Sequence, residues 1–487
     1  MGAGDLPPTL TDPAMASGSE VIGGPAGTHR AAPTGFWTPI RVILLAGTAV
    51  FWLGFLRTWP CVSNNWLDPD RYEAMCYSDI PILYSLRGLA DGDIPYLEWP
   101  ADGHTWEYPV LIGALVYVLA LITKLLTGGT QDSVVFYVVN AVAAYAFFLG
   151  TLWGVSAYVK RRAWDGLMLA LSPAVFLASF VNWDWPAVML TVLALLAWSR
   201  GRPGWAGVAL GLAIAVKFYP ILLLGPLLLL CLRGRRMAAF GWLVLGTAGA
   251  WLAVNLPVML AGFEGWSYFF TFSSERGQDF GSVWLALETA GYGVSPTSIN
   301  TVAAGTLVAM CAAIGLLILL ARQPPRVAQV SFLVVAAFLL TNKVYSPQFV
   351  LWLVPLAILA RPRWRDVIWW QLAQAVYFAA IWWYLVGLVD GNKGLSEQWY
   401  AAAIAVHVLS TVILAGLVVR DILSPSHDPV RSDGLPEHAG DPGGGPLDTV
   451  VSPSGPPASG PPASGPPASP AGGVPKESQA TVPVRGD

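Results

Sequence analysis

The residue most suited to chemistry in this sequence is a carboxylate, Asp79. It lies in the run Tyr77-Ser78-Asp79-Ile80, ahead of Pro81-Ile82-Leu83-Tyr84, whose apolar residues fall at helical spacing. A carboxylate there can take a proton from a hydroxyl nucleophile. It can equally belong to a helix cap, with Ser78 or Asp79 accepting from the orphan N–H groups of the first turn. Two lysines suggest a partner function. Lys217-Phe218-Tyr219-Pro220 and Lys343-Val344-Tyr345-Ser346-Pro347-Gln348 each interrupt an apolar stretch, with Tyr two residues after Lys and then Pro. The prolines end the helices there, and the cations suit a phosphate; snorkelling to lipid headgroups is the plainer use of such lysines. Arg276, within Ser273-Ser274-Glu275-Arg276-Gly277-Gln278-Asp279, is a third cation of this kind. Asn182-Trp183-Asp184-Trp185-Pro186 caps a hairpin of two apolar helices, where Asp184 orients a substrate or caps a turn.

These groups need a scaffold, and composition defines it. Of 487 residues, 55% are hydrophobic and 12% charged, with 23 Trp. A soluble protein carries about 25% charged residues, and Trp collects at membrane–water interfaces. Soluble enzymes, nucleic-acid binders and disordered hubs are excluded, and four Cys exclude a disulfide scaffold or a Cys-rich zinc module. The expectation is an all-α polytopic membrane protein. About twelve apolar runs between 39 and 419 read as spans, several shorter than the roughly 20 residues a straight crossing takes. Basic clusters at Lys160-Arg161-Arg162, Arg200/Arg202, Arg233/Arg235/Arg236, Arg322/Arg326 and Arg361/Arg363/Arg365, with Arg420, fall on one side if the runs alternate. That side is expected to be cytoplasmic, together with both termini, in a plasma-membrane location. Residues 109–127 are apolar enough to span, but counting them breaks the alternation. Segment 108–128 is therefore expected to lie on the outer face as a juxtamembrane or re-entrant helix.

The domain plan is a disordered tail over 1–37, a membrane domain over 38–422 and a Pro/Gly-rich disordered tail over 423–487 with tandem GPPAS repeats. The first outer loop, 58–107, is acidic where the opposite loops are basic, and loops this long are usually functional. Cys61 and Cys76 share that oxidising location and are expected to form a disulfide bracing the approach to Asp79.

The motifs together resemble the C-type glycosyltransferase superfamily. More narrowly they resemble actinobacterial polyprenyl-phosphate-mannose-dependent α-mannosyltransferases. The resemblance is carried by Tyr77-Ser78-Asp79-Ile80, Pro95-Tyr96, Glu107-Tyr108-Pro109, Asn182-Trp183-Asp184, Lys217-Phe218-Tyr219-Pro220 and Lys343-Val344-Tyr345-Ser346-Pro347-Gln348 over residues 40–420. It implies that Asp79 is the catalytic base and that a sugar, mannose above all, moves from a polyprenyl phosphate to a glycolipid or cell-envelope glycan on the outer face. Lys217, Tyr219, Lys343, Tyr345 and Arg276 are the candidates for the donor phosphate. Asp184, Asn182, Glu107, Tyr108 and Gln348 are those for orienting the acceptor. A leaving phosphate needs positive charge rather than a general acid, unlike glycoside hydrolysis with its two carboxylates. No cofactor, no metal-ligating residues and no nucleic acid are expected, and the sequence leaves a metal requirement open. A family histidine in a later outer loop has no match, since His407 lies in an apolar run and His104 in the first loop. Arabinofuranosyl or glucosyl transfer, and a lipid or solute transporter, are the other readings; the chain shows none of the matched broken halves common in transporters.

Overall fold

The chain enters its first helix through a cap. Thr38 accepts from the Arg41 N–H, and Pro39 takes the first helical position, where a missing N–H costs nothing. This computed structural model describes residues 36–448 apart from 101, 102, 160, 434, 436 and 437. The described residues are helical without strands, in nineteen α-helices joined by turns and short 3₁₀ segments. The ranges are α1 Pro39–Arg57, α2 Trp59–Asn64, α3 Asp70–Glu73, α4 Asp79–Leu86, α5 Val110–Leu126, α6 Ser133–Tyr158, α7 Leu167–Ala170, α8 Pro173–Ala178, α9 Trp185–Ser199 and α10 Pro203–Val216. They continue as α11 Leu224–Arg233, α12 Met237–Ala261, α13 Phe263–Glu275, α14 Val283–Thr289, α15 Ile299–Leu320, α16 Val327–Thr341, α17 Val350–Ala360, α18 Trp364–Val389 and α19 Glu397–Leu423.

Six segments are long and apolar enough to cross a membrane: Pro39–Asn64, Ser133–Tyr158, Met237–Ala261, Ile299–Leu320, Trp364–Val389 and Glu397–Leu423. The protein is therefore multi-pass. Two of the shorter apolar helices, α16 and α17, lie in the interior of the bundle. Every residue of α17 is buried, and so is nearly all of α16. A helix apolar on all sides must sit among other helices, which leaves the long helices to face lipid, as the sparse burial of α12 and α15 shows. Exposed Trp37, Trp205, Trp242 and Trp369 mark the end of the bundle where their helices begin, and Trp59 and Trp399 mark the other. Two such belts are what a bilayer's two interfaces select. Small residues set the closest contact. A Cβ on Gly207 or Gly211 of α10 would fall 2.1 Å or 2.3 Å from the Leu243 or Thr247 carbonyl oxygen of α12, so these helices touch backbone to backbone.

The short helix α5 is fastened to the 58–107 loop at both ends. At its start Tyr96 Oη donates to the Tyr108 and Pro109 carbonyls, and just past its end Gln131 donates to Asp91. Tyr96 and Asp91 both belong to 58–107, so both ends of α5 stay with that loop.

At the opposite end, three arginines of the basic clusters are ion-pair nodes, Arg326 and Arg361 buried and Arg162 partly so. Arg326 holds Asp428 with both its Nε and Nη2, at 2.8 and 2.9 Å, and donates to the Leu359 carbonyl. Arg162 pairs with Asp165 and Asp433, and Arg361 with Asp366 and Asp421. Asp428 and Asp433 correct the boundary expected at 423. Described residues beyond 423 pack on the bundle, with Asp428 fully buried and Asp441 accepting from the Val327 N–H. Composition hid this, because a few Asp residues anchor an otherwise Pro- and Gly-rich stretch to arginines far away in sequence. The tandem GPPAS repeats and the stretch 1–35 lie outside the described residues.

Candidate active site

Asp79 occupies the first helical position of α4, and the capping question is answered by its neighbour. Ser78 is the N-cap, its hydroxyl accepting from the Ile80 N–H at 3.2 Å. The Asp79 carboxylate is left to side chains. Tyr77 Oη donates to Oδ1 at 2.7 Å, and Asn182 Nδ2 donates to Oδ2 at 2.6 Å. The Asp79 N–H donates to the Val181 carbonyl at 2.8 Å, tying α4 to the turn between α8 and α9. Cys61 and Cys76 are joined, which fastens α2 to the residue before Tyr77. Arg57 reinforces this by donating to the Met75 and Leu177 carbonyls.

The electrostatics oppose one another. Burial pushes the Asp79 carboxyl above its ordinary value, while the hydrogen bonds from Tyr77 and Asn182 and the charge of Lys217 pull it back down. Glu107 nearby adds to the upward push, although Arg87 pairs with it at 2.6 Å. Burial holds the Tyr77 phenol well above its ordinary range, so Tyr77 stays a donor. The result is a carboxylate held by two donors and more basic than a solvated one, which is the profile of a general base.

Asn182-Trp183-Asp184 closes the site. Asn182 Nδ2 also donates to Tyr108 Oη at 2.7 Å. Trp183 Nε1 donates to Asn140 of α6 at 2.7 Å, and its ring packs 5.5 Å from that of Trp106. Asp184 stands at the N-cap position of α9, yet its carboxylate caps nothing. It accepts from Trp352 Nε1 at 2.7 Å and pairs with Lys217 at 3.4 Å. Lys217, where α10 ends in extended backbone, also donates to Asn182 Oδ1 at 3.2 Å.

The expected phosphate set does not come together as one clamp. Lys343 donates to the carbonyls of Ser273, Ser274 and Arg276, closing the C-terminus of α13, where unpaired carbonyls attract a cation. Arg276 pairs with Asp279 and is exposed, its side chain 41% accessible. The Tyr345 hydroxyl meets Thr411 and its ring packs on His407, while the Tyr219 hydroxyl meets Thr191 and its ring stacks on Trp352. Both tyrosines are buried and occupied. Gln348 is buried in the 3₁₀ turn before α17, with its side-chain oxygen unpartnered among the described residues. Of the orienting candidates, Asn182 meets Asp79 directly, Tyr108 joins through Asn182, Asp184 joins through Lys217, and Glu107 acts through its charge. Sequence reasoning gave no site role to Tyr77, Arg87 or Trp352. Tyr77 could have been found two residues before Asp79. Trp352 gave no signal, being one apolar residue in an apolar helix 168 positions from its partner.

Residues 106–341, just under half of the chain, match the model of glycosyltransferase family 87. That match supports a C-type glycosyltransferase, the resemblance that the short motifs carry. It covers Tyr108, Asn182, Asp184 and Lys217 and begins after Asp79. No curated protein matches the chain. Among solved structures, the chain is similar to the crystal structure of ArnT from Cupriavidus metallidurans bound to undecaprenyl phosphate. That likeness has 14% identity and a TM-score of 0.40 over 79% of this chain and 77% of that one.

Proposed function

We propose that this protein transfers a sugar, mannose first among candidates, from a polyprenyl-phosphate donor to a hydroxyl of a glycolipid or cell-envelope glycan. The reaction takes place at the end of the bundle bearing Asp79. The observation that carries the reading is the release of Asp79 from capping duty: Ser78 satisfies the helix, and the carboxylate is presented by Tyr77 and Asn182. Asp79 takes the proton of the acceptor hydroxyl as its oxygen attacks the anomeric carbon. The bond to the donor phosphate breaks on the opposite face, and the anomeric configuration inverts. The lipid phosphate leaves as an anion and needs no acid. Of the three cations named from sequence, Arg276 is the one most open to solvent, and we assign it to that phosphate. A lipid-linked donor suits a site at the rim of a membrane bundle, because the donor reaches it from the bilayer.

Membranes containing the protein, supplied with labelled polyprenyl-phosphate mannose, are expected to form a labelled glycolipid or glycan. Transfer from a nucleotide-linked mannose alone would refute the lipid donor, and transfer of a different polyprenyl-linked sugar in preference to mannose would reassign the sugar. Cysteine probes in 91–103 are expected to react from outside intact cells, and probes at 234 or 362 to stay unlabelled. The reverse pattern would move the site to the cytoplasmic face.

A further inference from the structure

Lys217 is only 7% exposed, and its ammonium is occupied on several sides. It donates to Asn182 Oδ1 at 3.2 Å, pairs with Asp184 Oδ1 at 3.4 Å and lies 4.9 Å from the centre of the Tyr108 ring. Asn182 and Asp184 are two residues apart, so the turn between α8 and α9 wraps around one cation. The consequence falls on the Asn182 amide. Its oxygen receives two donors, Lys217 Nζ and the Trp183 N–H at 2.6 Å. Its nitrogen gives two, to Asp79 and to Tyr108. Rotating the amide by half a turn would set an NH₂ against two donors and an oxygen against a carboxylate. Lys217 and the Trp183 N–H therefore hold the Asn182 oxygen and turn its NH₂ toward Asp79.

We propose that Lys217 is a positioning residue for Asp79, acting through the Asn182 amide, and not a ligand of the leaving phosphate. This rests on Asp79 being the base. The charged and titratable groups facing Asp79 are Tyr77 beside it, Tyr72 from α3, Tyr108 and Glu107 from the segment before α5, Asp184 with Asn182, and Lys217 from the end of α10. Arg87 is tied to Glu107. Within that set Lys217 is the cation that favours ionised Asp79. It keeps the carboxylate ready to accept a proton while a neutral amide, rather than the ammonium itself, touches it. A direct Lys–Asp contact would lower the basicity that the reaction uses.

The test compares Lys217→Met with wild type in membranes matched for protein level, measuring kcat and the donor KM against pH. The acid limb of the kcat profile is expected to move to higher pH by about 1 unit, with the donor KM unchanged. A raised donor KM with an unmoved acid limb would overturn the proposal and make Lys217 a phosphate ligand. If Lys217→Met leaves buried Asp184 uncompensated and the protein is lost, Lys217→Met with Asp184→Asn removes the pair together and is expected to move the limb in the same direction by less, because a negative charge is lost with the positive one. Asn182→Ala, which keeps the Lys217–Asp184 pair, is expected to reproduce the shift; an unmoved limb in that variant also overturns the proposal. Failure of the base reading is separable, because it shows as activity surviving in Asp79→Asn with Lys217 intact.

Discussion

Asn182 Nδ2 lies 2.6 Å from Asp79 Oδ2 across 103 residues of chain. Tyr77 meets the other oxygen from two residues away. One donor is local and the other comes from a separate helical hairpin, so the carboxylate is correctly presented only once the bundle has closed. The site is thus a product of packing, and its perturbation is expected to read out in acidity as well as in rate.

Tyr77→Phe removes one donor from the ionised form of Asp79. Hydrogen bonds to a charged group are worth about 1.5–3 kcal/mol, so the substitution is expected to lower transfer by roughly ten- to a hundredfold near the bottom of the acid limb. The sign follows from the base role. Asp79 accepts a proton only when ionised, and burial already raises its pKa above the ordinary 3.8. Wild-type activity is therefore lost as pH falls through a value above 3.8, and Tyr77→Phe moves that loss further up. A pH–rate profile checks both. A wild-type midpoint at or below the ordinary carboxylate value would contradict the environment described.

Replacing both Cys61 and Cys76 with Ser is expected to loosen the approach to Asp79. The bridge closes a loop over a sequence separation of 15, worth about 3 kcal/mol in the chain-entropy description. Thermal inactivation of detergent-solubilised protein should shift downward. Recovery of both thiols free from untreated membranes, by mass spectrometry of non-reduced peptides, would remove the bridge from the account.

Lys343→Met is expected to act on structure. It withdraws donors from three carbonyls at the end of α13, so protease cleavage within 276–282 should increase while the acid limb of the pH profile stays in place. A raised donor KM with unchanged protease sensitivity would instead return Lys343 to the phosphate.

The region beyond Leu423 yields a truncation pair. Cutting after Leu423 strips Asp428 from buried Arg326. Breaking a buried pair by removing one partner costs about 3–5 kcal/mol, so this truncation should fail to accumulate in membranes. Cutting after Asp448 keeps the pair and should accumulate normally. Equal accumulation of the two would show that the Arg326–Asp428 pair is dispensable.

The all-helical, multi-pass scaffold is legible in the sequence because apolar length is read one segment at a time, although only six of the expected spans are long enough to cross by themselves. Asp79 is legible for the same reason, standing next to a helix start in a long acidic loop. Partners across the bundle are not, because Lys217 and Lys343 share a local pattern but meet opposite surroundings. Lys217 faces a carboxylate and an amide from α8–α9, whereas Lys343 faces the bare carbonyls of α13. Only tertiary packing separates those two uses. The same limit hid Asp428, whose partner Arg326 lies 102 residues away.

The central claim is that Asp79 is the base, and Asp79→Asn tests it most directly. The amide keeps the side chain's size and Ser78 still caps the helix, so the protein should insert and accumulate as wild type does. It cannot accept the proton, and transfer of labelled mannose from polyprenyl-phosphate mannose is expected to fall by about 10²–10⁴-fold in matched membranes. Retention of more than about a tenth of wild-type activity would contradict the general-base role.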